Sequence, residues 1–154
     1  MKPAIIVLRP DDAGALARLH ADGFDTPWSA AEFRKLLNQS TILALGIEMD
    51  EVLVAFILVQ MSPDAGDILT LATATDYRRK GYARQLVSAM ALRLGERGIA
   101  TLTLDVAADN TAALALYQNL GFNEDGRRRN YYRRGAEPRV DAILMSRPVP
   151  GHLP

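Results

Sequence analysis

The sequence predicts an α/β chain, α+β in its layout, on three observations. Residues Asp67 to Arg97 read as a strand, a basic glycine-containing loop and a helix. Two apolar runs, Thr41 to Met49 and Val52 to Met61, are parted by Asp50 and Glu51 alone, which predicts a tight antiparallel hairpin. Thr101 to Val106 alternates polar with apolar residues, as a strand with one buried face does, and a capped helix follows it.

The other elements fall between these. Ala4 to Leu8 reads as a first strand, stopped by Arg9 and Pro10. Asp11 and Asp12 stand where a helix start favours acidic side chains, and Leu16, Leu19 and Phe24 recur at helical spacing. His20 lies on this helix with no second metal ligand or nucleophile close in sequence, so it reads as a surface or satisfied polar residue. The next helix start is fully written: Ser29 as N-cap, Glu32 closing a capping box, Trp28 and Phe33 as a hydrophobic staple. Pro63 to Gly66 turns the chain into the strand Ile68 to Ala74. Beyond Gly81, the spacing of Tyr82, Leu86, Met90 and Leu94 marks one face of a helix, and Gly98 stops it. Asn110 or Thr111 caps a further helix, which Gly121 ends. Phe122 opens another strand, an Arg- and Tyr-rich segment follows, and Val140 to Ser146 is a last strand before a Pro-rich tail, residues 147–154.

Composition bounds the function. With 154 residues, 49% of them hydrophobic, the chain suits one domain with a substantial core. Basic and acidic residues balance at 18 each, so no global field draws the protein to nucleic acid or membrane, and any basic site is local. No cysteine is present, which removes disulfides, thiolate metal sites and a cysteine nucleophile together. No apolar run reaches spanning length and no signal-like run opens the chain, so a cytoplasmic protein without a metal is the expectation.

The loop before the central helix carries the first chemical signal. A helix N-terminus presents unpaired N–H groups and partial positive charge, which suits a phosphate. Arg78, Arg79, Lys80 and Arg84 add charge there, while Gly81 and Ala83 keep side chains away from the backbone. Neither Gly-x-x-x-x-Gly-Lys-Ser/Thr nor Gly-x-Gly-x-x-Gly occurs in this stretch. A solvated basic turn before an ordinary helix is the plain alternative.

Arg78-x-x-Gly81-x-Ala83 after a strand resembles the acyl-CoA pyrophosphate motif of the GCN5-related N-acetyltransferases. The run from Asp105 to Phe122, the Arg128 to Tyr132 segment, and Pro27-Trp28-Ser29 look like the ribosomal-protein-alanine N-acetyltransferase branch of that superfamily, the RimI type. The match covers nearly the whole chain. It implies a single N-acetyltransferase domain over residues 1–154, with the order β-α-α-β-β-β-α-β-α-β-β. It also implies one mixed, mostly antiparallel sheet of about seven strands, helices on both faces, and splayed central parallel strands.

The resemblance implies a chemistry as well: acetyl transfer from acetyl-CoA to a protein N-terminal α-amine, the N-terminal alanine of a ribosomal protein. A same-fold enzyme acting on lysine or a small amine, and a non-catalytic acyl-CoA-binding module, stay open beside it. Backbone groups at Leu71, Ala72 and Thr73 would hold the pantetheine arm, and Arg79, Lys80, Gly81, Tyr82, Ala83 and Arg84 the pyrophosphate, with a further cofactor contact at Asn110. Asp105 occupies the place of the family's proton-accepting glutamate, one methylene shorter, so a water relay is implied; a carboxylate closing a strand is the alternative. Tyr117 matches the family's proton donor, and its rival role is a core aromatic. Trp28, Tyr131 and Tyr132 would border the acceptor groove, Trp28 also being explained by its staple. The five arginines at 127–129, 133 and 134 either belong to that groove or protect a strand edge by charge; direct nucleic-acid binding is not expected.

Overall fold

The computed structural model describes residues 2–24 and 26–149. Residues 150–154, the end of the stretch read as a tail, lie outside the described residues. The chain runs through β1 (Ala4–Val7), a 3-10 turn (Pro10–Asp12), α1 (Ala13–Gly23), α2 (Ala30–Leu37), β2 (Ile42–Met49), β3 (Val52–Met61) and β4 (Gly66–Thr73). A second 3-10 turn (Thr75–Tyr77) leads to α3 (Tyr82–Glu96), β5 (Thr101–Ala107), α4 (Thr111–Asn119), β6 (Asn123–Arg134) and β7 (Glu137–Pro148). This is the expected element order, with several boundaries moved, among them the start of β4, two residues earlier, and the start of β7, three residues earlier. The first helix ends at Gly23, so Phe24 is its extended C-cap and not its last turn. The Arg- and Tyr-rich segment belongs to β6, and β7 continues through Arg147 and Pro148, which had been read as tail.

All seven strands form one sheet in the order β1-β2-β3-β4-β5-β7-β6. Every neighbouring pair is antiparallel except β4 and β5. Local chemistry explains the tight connections. Asp50 and Glu51 take φ of 53° and 66°, so both turn residues are left-handed, and that twist matches the strands of a two-residue hairpin. Ser29 Oγ accepts from Glu32 N–H at 3.1 Å while Glu32 Oε2 accepts from Ser29 N–H at 3.3 Å, and the Trp28 and Phe33 rings stand 5.4 Å apart. The capping box and staple therefore fix where α2 begins.

The sheet is buried on both faces, which is why β2 and β3 read as near-continuous apolar runs. Leu43, Leu45 and Ile47 of β2, with Ile57 and Val59 of β3, join a core under α3, where Leu86, Val87, Met90 and Leu94 are fully buried. Each such side chain stabilises the fold by roughly 1.5–3 kcal/mol. Ala113, Leu114 and Tyr117 of α4 pack against the same core. On the other face, Phe56 and Leu58 of β3 meet Leu16 and Leu19 of α1 and Phe33 of α2.

Two irregularities at the centre shape the site. β4 pairs Thr70 with Leu58 and Ile68 with Val59, which leaves Leu69 as an extra residue. This bulge makes the strand's inward pattern skip: Ile68 and Leu71 face the α3 core, Leu69 and Ala72 the α1 and α2 core, each pair three apart instead of two. The buried Thr70 hydroxyl inside it has no hydrogen-bond partner among the described residues. The parallel pair is also short. β4 and β5 share the rungs Gly66↔Leu102 and Asp67↔Thr103 and no later ones, so the two strands part beyond Asp67.

Candidate active site

Where the strands part, a cavity of about 530 Å³ opens. Leu71, Ala72 and Thr73 line it from β4. Arg79, Gly81, Tyr82, Ala83 and Arg84 line it from the loop and first turn of α3, joined by Arg78. Leu116 and Asn119 of α4 close one side, Gly23 and Phe24 at the end of α1 another.

The loop is built to present backbone. Arg79 and Gly81 both have left-handed φ, 64° and 81°, which curls the chain at the helix entry. The helix ladder begins with Gln85 N–H donating to Gly81 carbonyl oxygen at 3.0 Å, so the N–H groups just before Gln85 have no intrahelical acceptor. A Cβ added at Gly81 would meet nothing within 4 Å, which leaves the backbone there open to approach. Arg78 Nε donates to Thr73 carbonyl oxygen at 3.2 Å and anchors the loop to the end of β4. These features suit a diphosphate: a curled backbone, a helix start and guanidinium groups.

Three of the expected contacts serve structure as well. Arg84 Nη2 donates to Asn119 carbonyl oxygen at 3.1 Å and so clamps α3 to the C-terminal end of α4. Lys80 does not line the cavity; its Nζ lies 5.5 Å above the Tyr77 ring. Asn110 does not line it either, and its Oδ1 accepts from Ala113 N–H at 3.1 Å as the N-cap of α4.

Across the parting lies a group of carboxylates and phenols. The alternation of β5 puts Thr103 and Asp105 on the face opposite Leu102, Leu104 and Val106, as its pattern predicts, and Asp105 is exposed. Asp67, half-buried on the last shared rung, accepts from Thr103 Oγ1 at 2.7 Å. Burial pushes the Asp67 carboxyl above its ordinary pKa; the Thr103 hydrogen bond opposes this, the charge of Asp105 adds to it, and Arg128 opposes it. Burial also raises the Tyr132 phenol, and the charges of Asp105 and Asp67 add to the rise. Tyr117, its ring edge-on to Phe122 at 5.7 Å, is pushed up to about 12, chiefly by burial and then by Tyr132. The structure thus brings Asp105, Tyr117 and Tyr132 together and adds Asp67, which the sequence reading passed over as the start of a strand.

Burial changes what Tyr117 can do. With its ordinary pKa near 10, full proton transfer to a thiolate of pKa about 8.5 is uphill by only ~2 kcal/mol. At about 12 the gap is wider, so the phenol is suited to donating a hydrogen bond while keeping its proton.

Tyr132 owes its aim to a bulge. β6 pairs Arg128 with Ala142 and next Tyr132 with Val140, with Asn130 at φ 53° between them. Asn130 N–H donates to Asp141 Oδ1 at 2.9 Å, which holds the bulge. Tyr131 stays exposed and meets Tyr132 edge-on at 5.1 Å, while the Arg128 guanidinium lies 5.3 Å from the Tyr131 ring. Arg127 pairs with Glu124 at 3.4 Å and Asp141 at 3.6 Å, so part of the arginine run is neutralised within the protein. Trp28 is half-buried between α1 and α2, its N–H donating to His20 Nδ1 at 3.0 Å. Among the described residues no group of acidic, histidine or cysteine side chains is placed to hold a metal, and no helix is long and apolar enough to cross a membrane.

Comparison with known proteins matches this geometry to one family. Residues 14–122 match the model of the acetyltransferase (GNAT) family. The chain is 36% identical to the [ribosomal protein bS18]-alanine N-acetyltransferase of Salmonella typhimurium, over 94% of this chain and 97% of that one. It is 40% identical to the Escherichia coli protein of the same description, over 80% of this chain and 82% of that one. The crystal structure of the ribosomal-protein-S18-alanine N-acetyltransferase from Escherichia coli superposes with a TM-score of 0.86 at 34% identity, covering 96% and 94% of the two chains. An acetyl-CoA complex of Arabidopsis thaliana NAA60, at 20% identity and a TM-score of 0.81, shares the fold. With its split mixed sheet, its curled loop before α3 and a family match spanning most of its length, this chain belongs to the GNAT family and is an N-acetyltransferase.

Proposed function

We propose that the protein transfers the acetyl group of acetyl-CoA to the N-terminal alanine α-amine of a ribosomal protein, in the cytoplasm. The observation that carries this reading is the parting of β4 from β5: beyond Asp67 a cavity with a phosphate-suited helix start runs along β4, while Asp67 and Asp105 act on Tyr132 where the two strands separate. The similarity to alanine N-acetyltransferases over most of the chain supports the acceptor.

Within this reading, the backbone at Gly81 to Ala83 and the Arg78 and Arg79 guanidiniums bind the diphosphate of acetyl-CoA. The thioester lies along Leu71 to Thr73, where the bulged strand leaves backbone groups outside the ladder. The acceptor nitrogen attacks the thioester carbonyl carbon, the C–S bond breaks, and the nitrogen gives up a proton. Asp105 and Asp67 are the acceptors for that proton. Asp105 is short and exposed, so it works through water; Asp67 is better matched, because its raised pKa makes it a stronger base than an ordinary aspartate. Tyr117 donates a hydrogen bond to the departing sulfur, and Tyr131 and Tyr132 border the acceptor chain. The acceptor is a protein N-terminus, with nucleic acid and membrane outside the reaction.

The proton requirement favours an α-amine over lysine. At pH 7 an α-amine of pKa about 7.7–8.0 is neutral in roughly a tenth of molecules, whereas lysine near 10.4 needs about 3–4 kcal/mol more for deprotonation. Two aspartates, one exposed, are suited to the smaller task. Two matched peptides test this, each beginning with alanine and holding one internal lysine, one with its N-terminus free and one with it blocked. Mass spectrometry is expected to place the acetyl group on the free N-terminus and find none on the blocked peptide. Acetyl-lysine in both overturns the assignment.

A further inference from the structure

His20 lies outside the proton-handling group, yet it is the most enclosed ionisable side chain described, 2% exposed on α1. Its neighbours are aromatic: the Phe24 ring stacks on it at 4.0 Å and 8°, Trp28 lies at 5.2 Å, Phe33 at 5.3 Å and Phe56 at 6.5 Å. These come from the C-cap of α1, the residue before the N-cap of α2, α2 itself and β3. The charged group facing it among the described residues is Glu32 of α2. A backbone N–H can only donate, so the 3.0 Å contact from Trp28 N–H makes Nδ1 an acceptor and puts the imidazole proton on Nε2.

The two residues His20 holds stand at either end of the segment joining α1 to α2. Phe24, 40% exposed, lines the cavity opposite Leu116 and beside Leu71 to Thr73. Gly23 sits so close to the loop that a Cβ on it would lie 3.3 Å from Arg78 Nη2. Gly23 and Phe24 are therefore part of the cavity wall, with Phe24 held by the imidazole face and Trp28 by its lone pair.

We propose that His20 is a positioning residue for the cavity wall beside Leu71 to Thr73, where the acceptor amine meets the thioester: neutral, it pins Phe24 through its ring and Trp28 through Nδ1, and protonation releases the Trp28 amide and loosens the wall. This rests on the acetyl-transfer reading above. Desolvation by the aromatic cage lowers the pKa of His20 below its ordinary 6.5, with Glu32 opposing it weakly. The neutral form is thus favoured by folding; that contribution is present above pH 6.5 and is lost as pH falls through the lowered value.

Two substitutions separate the functions of the ring. His20→Asn keeps an acceptor near Nδ1 and cannot be protonated; His20→Phe keeps the stacking surface and has no acceptor. Acetylation of an alanine-starting peptide at saturating acetyl-CoA is followed from pH 8 down through the pH at which the wild-type Trp28 emission changes. Dividing the wild-type curve by the His20→Asn curve cancels the titration of the peptide amine, which both enzymes share. KM for the peptide in the wild type is expected to rise about three- to tenfold relative to His20→Asn once His20 is protonated, the range expected for one net hydrogen bond, with kcat within twofold. His20→Phe should show that raised KM already at pH 8. Parallel wild-type and His20→Asn curves, or a wild-type KM in His20→Phe, overturn the proposal. Trp28 is the single tryptophan of the chain, so its emission tests the pin without turnover. A pH transition with midpoint below 6.5 in the wild type, absent in His20→Asn, is expected even if no peptide is acetylated, and its absence sinks the pin independently of the acetyl-transfer reading.

Discussion

Replacing Tyr117 with phenylalanine removes one hydroxyl and leaves the ring in contact with Phe122. Losing one hydroxyl while the ring stays packed should change folding stability by about 0.5–1.5 kcal/mol at most. The rate effect follows from the raised pKa. Because burial raises the phenol well above a thiol, the proposed role of the hydroxyl is to stabilise charge as it develops, and one well-aimed donor of this kind is worth about 10²–10³ in kcat. Tyr117→Phe is therefore expected to lower kcat by about a hundredfold or more, with the CoA dissociation constant within threefold of wild type. Thiol release with an alanine-starting peptide measures the first, calorimetric titration the second. The wild-type kcat profile should also show no alkaline limb from Tyr117 below about pH 11, since the phenol stays protonated to about 12. A kcat within threefold of wild type, or an equal loss of CoA affinity, refutes the donor role and returns Tyr117 to the packing of α4.

Gly81→Val meets open space, so its cost is conformational: a β-branched residue at φ 81° should lose about 1–3 kcal/mol in a thermal melt and weaken CoA binding by at least tenfold, read by calorimetry. Unchanged affinity would remove the diphosphate from this loop. Asp67→Asn imitates the protonated acid that burial favours. Its raised folded pKa means stability is fully present below about 3.8 and lost as pH rises through the folded value, so the variant should melt higher than wild type at pH 7 and equal to it near pH 3. The same variant should lose about a hundredfold in kcat, the low end for proton transfer. A lower melting point at pH 7, or full activity, would show that the carboxylate serves packing alone.

What the sequence made legible was whatever a few neighbouring residues decide. Ser29 and Glu32 bond each other's backbone, and Asp50 with Glu51 must turn in two residues, so α2 and the β2–β3 hairpin were readable to within a residue. The alternation of β5 put Asp105 on the correct face for the same reason. The cavity-lining loop was readable through its resemblance to a family motif, and its left-handed Gly81 fits the reading. Asp67 was not legible, because its role depends on facing Thr103 across a rung set by strands 36 residues apart in sequence. The Leu69 bulge and the one before Tyr132 depend on partner register in the same way. His20 carried a local clue in hindsight: a histidine four residues from one aromatic and eight from another, with a helix start between α1 and α2 that needed an anchor.

A sheet ordinarily has two edges, and each is a hazard, because unpaired strand groups invite a strand from another molecule. The outer edges here are managed plainly: β1 is four residues long, and β6 is studded with arginines. The parting of β4 from β5 creates two more edges inside the molecule, long enough to bind an extended chain. The shared rung of Asp67 and Thr103 closes one end, while the end of α1 and the loop before α3 line the cavity along β4. Strand-edge hydrogen-bonding capacity is thus held inside the molecule, apart from the two outer edges at which another sheet could pair.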